Sequence, residues 1–145
     1  MRTTPYLSFH AGDAAEAMRF YRDVLGGELS ITTFSQGGAG EPDAPYADQV
    51  MHSELASDEL KLFGNDWVPE FCGGRDGEFA IGDGVSLTLE GGPDDAERLR
   101  EIYAKLSEGG TIFMPLSRQE WGDEFGSFRD RFGHGWNISI SAQAS

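Results

Sequence analysis

His52 and Glu54 stand two residues apart in Met51-His52-Ser53-Glu54-Leu55, a run that reads as a β-strand. On a strand that spacing puts both side chains on one face. An imidazole, which titrates near neutral pH, beside a carboxylate can serve as base and acid, so His52 and Glu54 are the candidate catalytic residues. His10, at the end of the apolar run Tyr6 to Phe9, is a further candidate donor for a metal or a proton. Two dependable ligands do not make a metal site, which takes three or four, and the same pair on a hydrated strand face would do no chemistry. His134, flanked by Gly133 and Gly135, reads as an exposed turn residue. Cys72 is the single cysteine, with no base in the adjoining sequence. It reads as a packed thiol rather than a nucleophile, and it leaves no intrachain disulfide to form.

Trp121, Phe125, Phe128, Phe132 and Trp136 are the densest aromatic cluster in the chain. Rings lining a concave site among acidic neighbours suit a planar, amphipathic or cationic small molecule. The same rings could close a core or a subunit contact. The reading puts Trp121 and Phe125 at a ligand and Trp136 in the core. Other chemistries lack their motifs: there is no P-loop and no Gly-x-Ser-x-Gly nucleophile turn. Gly37-Gly38-Ala39-Gly40 runs into an acidic proline loop instead of opening a helix after a strand, so no nucleotide-like cofactor, S-adenosylmethionine included, is expected. The expected cofactor is none.

The elements that would position these residues recur. At an offset of 81, Asp13, Ala15, Glu16, Arg19 and Leu25 align with Asp94, Ala96, Glu97, Arg100 and Leu106. Each segment follows a short apolar strand and ends near a glycine pair, Gly26-Gly27 and Gly109-Gly110. In the first copy Tyr6 to Phe9 reads as a strand, and Ala14 to Leu25 as a helix burying Ala14, Met18, Tyr21 and Leu25, with Asp13 as N-cap. In the second, Val85 to Leu89 reads as a strand, and Pro93 opens a helix burying Ala96, Leu99, Ile102 or Tyr103, and Leu106. Strands are then expected at Glu28 to Ser35, Gln49 to Leu55 and Glu59 to Gly64, and at Thr111 to Leu116, Gly126 to Asp130 and Trp136 to Ser141. Gly37 to Pro42 and Pro69 to Gly77 read as surface loops. Each half is one strand, one helix and three strands, an α+β arrangement of two βαβββ modules, about 1–80 and 81–145 within one domain.

At 145 residues with 39% hydrophobic content the chain can build a core. Its net charge of -14 argues against nucleic acid and anionic membrane surfaces as partners, which leaves a small molecule. No apolar run approaches the ~20 residues of a spanning helix, and the N-terminus lacks the apolar stretch of a signal peptide. The expected compartment is the cytoplasm.

Phe113-Met114-Pro115-Leu116, Trp121-Gly122 with Phe125-Gly126, and Asp130 with Phe132-Gly133 and Trp136 resemble the PhnB-like branch of the glyoxalase, bleomycin-resistance and extradiol-dioxygenase (vicinal oxygen chelate) superfamily. Tyr6-Leu7-Ser8-Phe9, Phe20-Tyr21, Leu25-Gly26-Gly27 and Met51-His52 extend the resemblance over nearly the whole chain. It implies a glyoxalase fold in which two curled modules enclose one cavity, and a homodimer. Metal-dependent lyases, isomerases and dioxygenases of this superfamily hold a divalent ion with His and Glu from the first and last strands of both modules. The corresponding positions here are Tyr6, Leu62, Val85 and Asn137, and their neighbours Leu7, Lys61, Phe63, Ser86, Trp136 and Ile138 add no His or Glu. The resemblance therefore implies a small-molecule-binding protein without the metal, its pocket lined by Tyr6, Ser8, His52, Trp121, Phe125 and Asn137. A metal-dependent enzyme and a methyltransferase-like activity, a label some relatives carry, are the alternatives.

Overall fold

A computed structural model describes residues 1–73 and 78–144. The chain divides into two compact units, Met1–Ile81 and Gly82–Ser145.

In the first unit β1 (Tyr6–Phe9) leads into helix α1 (Ala14–Leu25) and then β2 (Glu28–Thr33), β3 (Val50–Ala56) and β4 (Lys61–Asp66). The sheet order is β1-β4-β3-β2, with β1 parallel to β4 and the other pairs antiparallel. Helical spacing explains α1: Ala14, Ala17, Met18, Tyr21 and Leu25 form one buried stripe. Against it lie Leu7, Phe9, Leu55 and Leu62, the apolar alternates of their strands. Full burial of each large side chain contributes ~1.5–3 kcal/mol, which is what holds helix to sheet.

The second unit repeats the pattern. Strand β5 (Ser86–Gly91), a 3-10 turn (Pro93–Asp95), α3 (Ala96–Leu106), β6 (Thr111–Arg118), β7 (Glu124–Arg129) and β8 (Gly135–Ile140) give the order β5-β8-β7-β6, again with the first and last strands parallel. Ala96, Leu99, Ile102 and Leu106 are the buried stripe of α3, and Phe128, Trp136, Ile138 and Ile140 form the sheet side of its core. Tyr103 is half-buried, its ring edge-on to Phe128 at 5.5 Å. The expected α+β fold of two βαβββ modules is what the chain adopts, and Trp136 lies in the core.

The recurring glycine pairs have one cause. Gly26 and Gly109 take φ of 81° and 77°, left-handed values that let the chain leave the helix. The next glycine passes against a carbonyl of the strand it will pair with: a Cβ on Gly27 would sit 2.8 Å from the Ala56 oxygen, and one on Gly110 would overlap the Arg129 oxygen.

Several boundaries differ from the sequence reading. Asp13 occupies the N-cap position with helical backbone and makes no side-chain cap bond. The Ala14 N–H instead donates to Asp66 Oδ1 at 3.0 Å, alongside Gly12 N–H at 2.9 Å, while Val50 N–H donates to Oδ2 at 2.8 Å. The N-terminal end of α1 is thus satisfied from the far end of β4. β4 begins at Lys61 rather than Glu59, because the Ser57 oxygen accepts from the Glu59 and Leu60 amides and turns the hairpin there. β5 begins at Ser86, where pairing with Gly135 starts, so Val85 precedes the strand and is exposed. Within the expected loop Pro69 to Gly77, Pro69–Cys72 forms one helical turn, α2, and Gly74 to Gly77 lie outside the described residues. Phe71 on that turn stacks on Phe34 at 5.0 Å and meets Tyr46 edge-on at 5.4 Å. Cys72 beside it is exposed, not packed. Among the described residues no helix is long and apolar enough to cross a membrane.

Candidate functional site

The face of the first sheet turned away from α1 gathers the chemistry. Strand alternation sends Leu7, Phe9, Leu55 and Leu62 into the core, which leaves Tyr6 and Ser8 on β1, His52 and Glu54 on β3, and Lys61, Phe63 and Asn65 on β4 pointing the other way. Tyr6 pairs in register with Phe63, and Phe63 with Glu54, so β4 sits between the strands that carry the phenol and the imidazole.

The Tyr6 hydroxyl lies 2.8 Å from His52 Nδ1. Both rings meet Phe63 edge-on, with centroids 5.6 and 4.9 Å away, and meet each other at 5.5 Å. Edge-to-face contacts of this kind are each worth ~0.5–1.5 kcal/mol beyond burial, so the three rings hold one another in place. Burial pushes the Tyr6 phenol above its ordinary range, and Cys72 adds to the shift. The neutral hydroxyl can donate to Nδ1, a choice that leaves the imidazole proton on Nε2. Tyr6 remains 49% exposed, so the cluster is open to a ligand.

Polar pairs flank the rings. Lys61 Nζ lies 3.4 Å from Glu54 Oε1 and 5.5 Å from the centre of the Phe63 ring. Ser8 Oγ donates to Asn65 Oδ1 at 2.8 Å, and Asn65 Nδ2 donates to Cys72 Sγ at 3.5 Å. His52 is therefore bonded to Tyr6, and Glu54 to Lys61, rather than the two to each other. His10 is exposed and packs on Phe79 at 4.9 Å.

The corresponding face of the second sheet has another character. Asn137 Nδ2 donates to Ser86 Oγ at 3.0 Å and to Thr88 Oγ1 at 3.2 Å. Phe125 is opposite Ser139 and Ser127 opposite Asn137, so Phe125 and Asn137 share this face. Trp121 lies in the hairpin turn between β6 and β7 and is 65% exposed. His134 is half-buried in the β7–β8 turn, where its N–H donates to Asp130 Oδ1 at 3.1 Å. The candidate ligand residues thus fall into three places: Tyr6, Ser8 and His52 on one sheet face, Phe125 and Asn137 on the other, and Trp121 at a hairpin tip.

Sequence reasoning weighed Lys61 and Phe63 only as neighbours that add no His or Glu, and passed over Asn65. It assigned Leu62 to a ligand position, yet Leu62 is 4% exposed on the α1 side, and the residue level with Tyr6 is Phe63. Adjacent apolar residues leave the strand's face undecided, and a one-residue slip exchanges the faces. With Phe63 for Leu62 and Ser86 for Val85, the four positions offer a phenol, a phenyl ring, a hydroxyl and an amide. Among the described residues no three His, Cys, Asp or Glu side chains come together as a metal would need. This donor set does not fit a divalent ion of the lyase and dioxygenase type, for which imidazole and carboxylate are the usual ligands.

Comparison with known proteins agrees with this fold. The sequence profile of the Glyoxalase/Bleomycin resistance protein/Dioxygenase superfamily matches residues 5–138. A crystal structure of a Pseudomonas aeruginosa protein superposes with a TM-score of 0.81 at 30% identity, covering 99% of both chains. The PhnB protein from Bacillus cereus, whose name refers to a 3-demethylubiquinone-9 3-methyltransferase, superposes with a TM-score of 0.66 at 23% identity over 97% of this chain and all of that one. An uncharacterised protein of Mycobacterium bovis is 29% identical over 136 residues, 92% of this chain and 82% of its own length.

Proposed function

The chain belongs to the Glyoxalase/Bleomycin resistance protein/Dioxygenase superfamily, and from that membership we propose that it is a PhnB-like protein that binds a small organic molecule without a divalent metal. The observation that carries this reading is the Tyr6–His52–Phe63 cluster, which sets a phenol and two rings on an accessible sheet face. Ring edges take the flat part of a ligand, and the protonated Tyr6 hydroxyl and the free imidazole nitrogen take its polar group. Ser8 is proposed as a further contact on this face, and Trp121, Phe125 and Asn137 are proposed as ligand contacts of the second unit. Binding of this kind needs no reaction, since sequestration alone protects against a toxic compound.

A second reading is favoured by the 2.8 Å contact between Tyr6 and His52. The same pair would perform metal-free proton transfer in the other tautomer, with Nδ1–H of His52 donating to the Tyr6 oxygen and Nε2 acting as base. Turnover of a bound compound separates the two. Pairing as a homodimer is proposed on Ile112, Phe113 and Met114, which are exposed on the edge strand β6; an uncovered apolar edge invites a partner. Sedimentation at micromolar concentration tests it, with a dimer expected and a monomer contradicting it.

The binding reading is tested by elemental analysis of protein purified without chelator, followed by a search for compounds that co-purify. Metal far below one per chain and an organic ligand are expected. One Fe, Mn, Ni or Zn per chain, lost together with binding on chelation, would overturn it.

A further inference from the structure

We propose that a groove in the first unit, sharing no lining residue with the Tyr6 face, binds the ammonium head of a small organic amine. The groove has a volume of about 190 Å³ and is lined by Tyr46, Gln49, Trp67 and Glu70, with Pro45 and Pro69 among its remaining residues. That is below the roughly 300–1,000 Å³ of sites for drug-sized molecules, and it suits a head group with a few carbons.

Three observations converge on a cation that carries N–H donors. Gln49 lines the groove, and its Oε1 is buried with no hydrogen-bond partner among the described residues, so a turn of this side chain would present an oxygen in need of a donor to the groove. Tyr46 and Trp67 supply aromatic surface, and both are braced: Tyr46 meets Phe34 edge-on at 5.3 Å, and Trp67 stacks on Phe79 at 5.7 Å. Rings attract a cation and pack equally well on its carbon atoms. Glu70 is exposed at the groove, and among the described residues no cation pairs with it. The carboxylate and the chain's net charge of -14 select against anions. The orphan oxygen selects a primary ammonium over a quaternary one, which has no N–H to give.

Nitrogen–proton correlation NMR of the full chain, titrated with n-butylammonium chloride, tests the assignment. The Trp67 indole and Gln49 side-chain signals, identified with Trp67→Phe and Gln49→Met, are expected to shift saturably. n-Butanol, matched in shape but uncharged, should leave them in place, and tetramethylammonium chloride should bind more weakly than n-butylammonium. Gln49→Met should weaken n-butylammonium about fivefold by removing one charge-assisted hydrogen bond, without lowering the melting temperature, since that oxygen has no partner among the described residues. Glu70→Gln should weaken it about two- to fivefold, the size of an exposed ion pair. An absent or non-saturating shift, an equal response to n-butanol, or unchanged affinity in both Gln49→Met and Glu70→Gln would overturn the proposal.

Discussion

On the sheet face opposite α1, the first unit carries three interlocked rings, a lysine–glutamate pair and a phenol raised in pKa. Opposite α3 the second unit carries Phe125 with Ser86, Thr88, Ser127, Asn137 and Ser139, beside Glu90 and Arg129, and the Asn137 amide already donates to two hydroxyls. The topologies match strand for strand, so the fold does not set this difference; the side chains at equivalent positions do. The units also differ in how they use a buried carboxylate. Asp66 accepts from amides 54, 52 and 16 residues away, whereas Asp130 accepts from Phe132, His134 and Trp136, only 2, 4 and 6 residues away. The Asp66 bonds join parts of the unit far apart in sequence, and these Asp130 bonds lie within and beside one turn.

The largest expected effect tests that contrast. Asp66→Ala leaves three backbone donors unmet and should cost ~3–5 kcal/mol in urea denaturation. Asp130→Ala should cost less, ~2–3 kcal/mol, with amide exchange rising only around 130–136. Equal losses, or exchange spreading through the whole second unit, would erase the distinction. At the helix exits the units should instead agree. Gly27→Ala and Gly110→Ala each force a Cβ toward a strand carbonyl and should each cost about 2–4 kcal/mol. A loss at one and not the other would show that the two turns are not equivalent.

Smaller effects probe the faces. Tyr6→Phe should weaken ligand binding about fivefold, the worth of one hydrogen bond, with little change in melting temperature because Tyr6 is half exposed. Asn137→Ala should weaken ligand binding on the second unit's face only slightly, since the Asn137 Nδ2 group is already engaged. Trp121→Ala should leave the melting temperature unchanged, as its exposure requires. If it also leaves binding unchanged, Trp121 is no part of the site.

The smallest effect is a pH dependence of the second unit. The Arg100 guanidinium, bonded to Glu124 at Nε–Oε2 3.1 Å and again through Nη2, holds the Glu124 carboxyl below its ordinary range. A lowered folded-state pKa contributes stability above the unfolded value, and that contribution is lost as pH falls through the folded value. Glu124→Gln should therefore flatten the acid limb of the stability curve slightly, and high salt should mimic it. An acid limb unchanged in the variant would assign the pair no role.

Periodicity made much of this legible. The bounds of α1 and its buried stripe followed from 3.6-residue spacing, and the repeat with its glycine pairs exposed the modular plan. The site was harder to read because its decisive contacts are non-local or depend on parity. Leu62 and Phe63 are both apolar, so a period of two could not say which faces the core. The Asp66 carboxylate was passed over because its partners lie up to 54 residues away. Tyr6 and His52 were each singled out, but their contact arises from β4 inserting between β1 and β3, an order no local pattern encodes. Cys72 was misjudged because free thiols usually pack, whereas α2 leaves this one at the surface beside Asn65.

The most direct test is a fragment titration of chelator-treated protein, read at the His52 imidazole and Tyr6 ring signals by NMR, with Tyr6→Phe as the paired sample. The account predicts saturable shifts at both rings that survive chelation and weaken in Tyr6→Phe. Binding that vanishes with the chelator and returns with one equivalent of a divalent metal, or that leaves both rings unmoved, would contradict it.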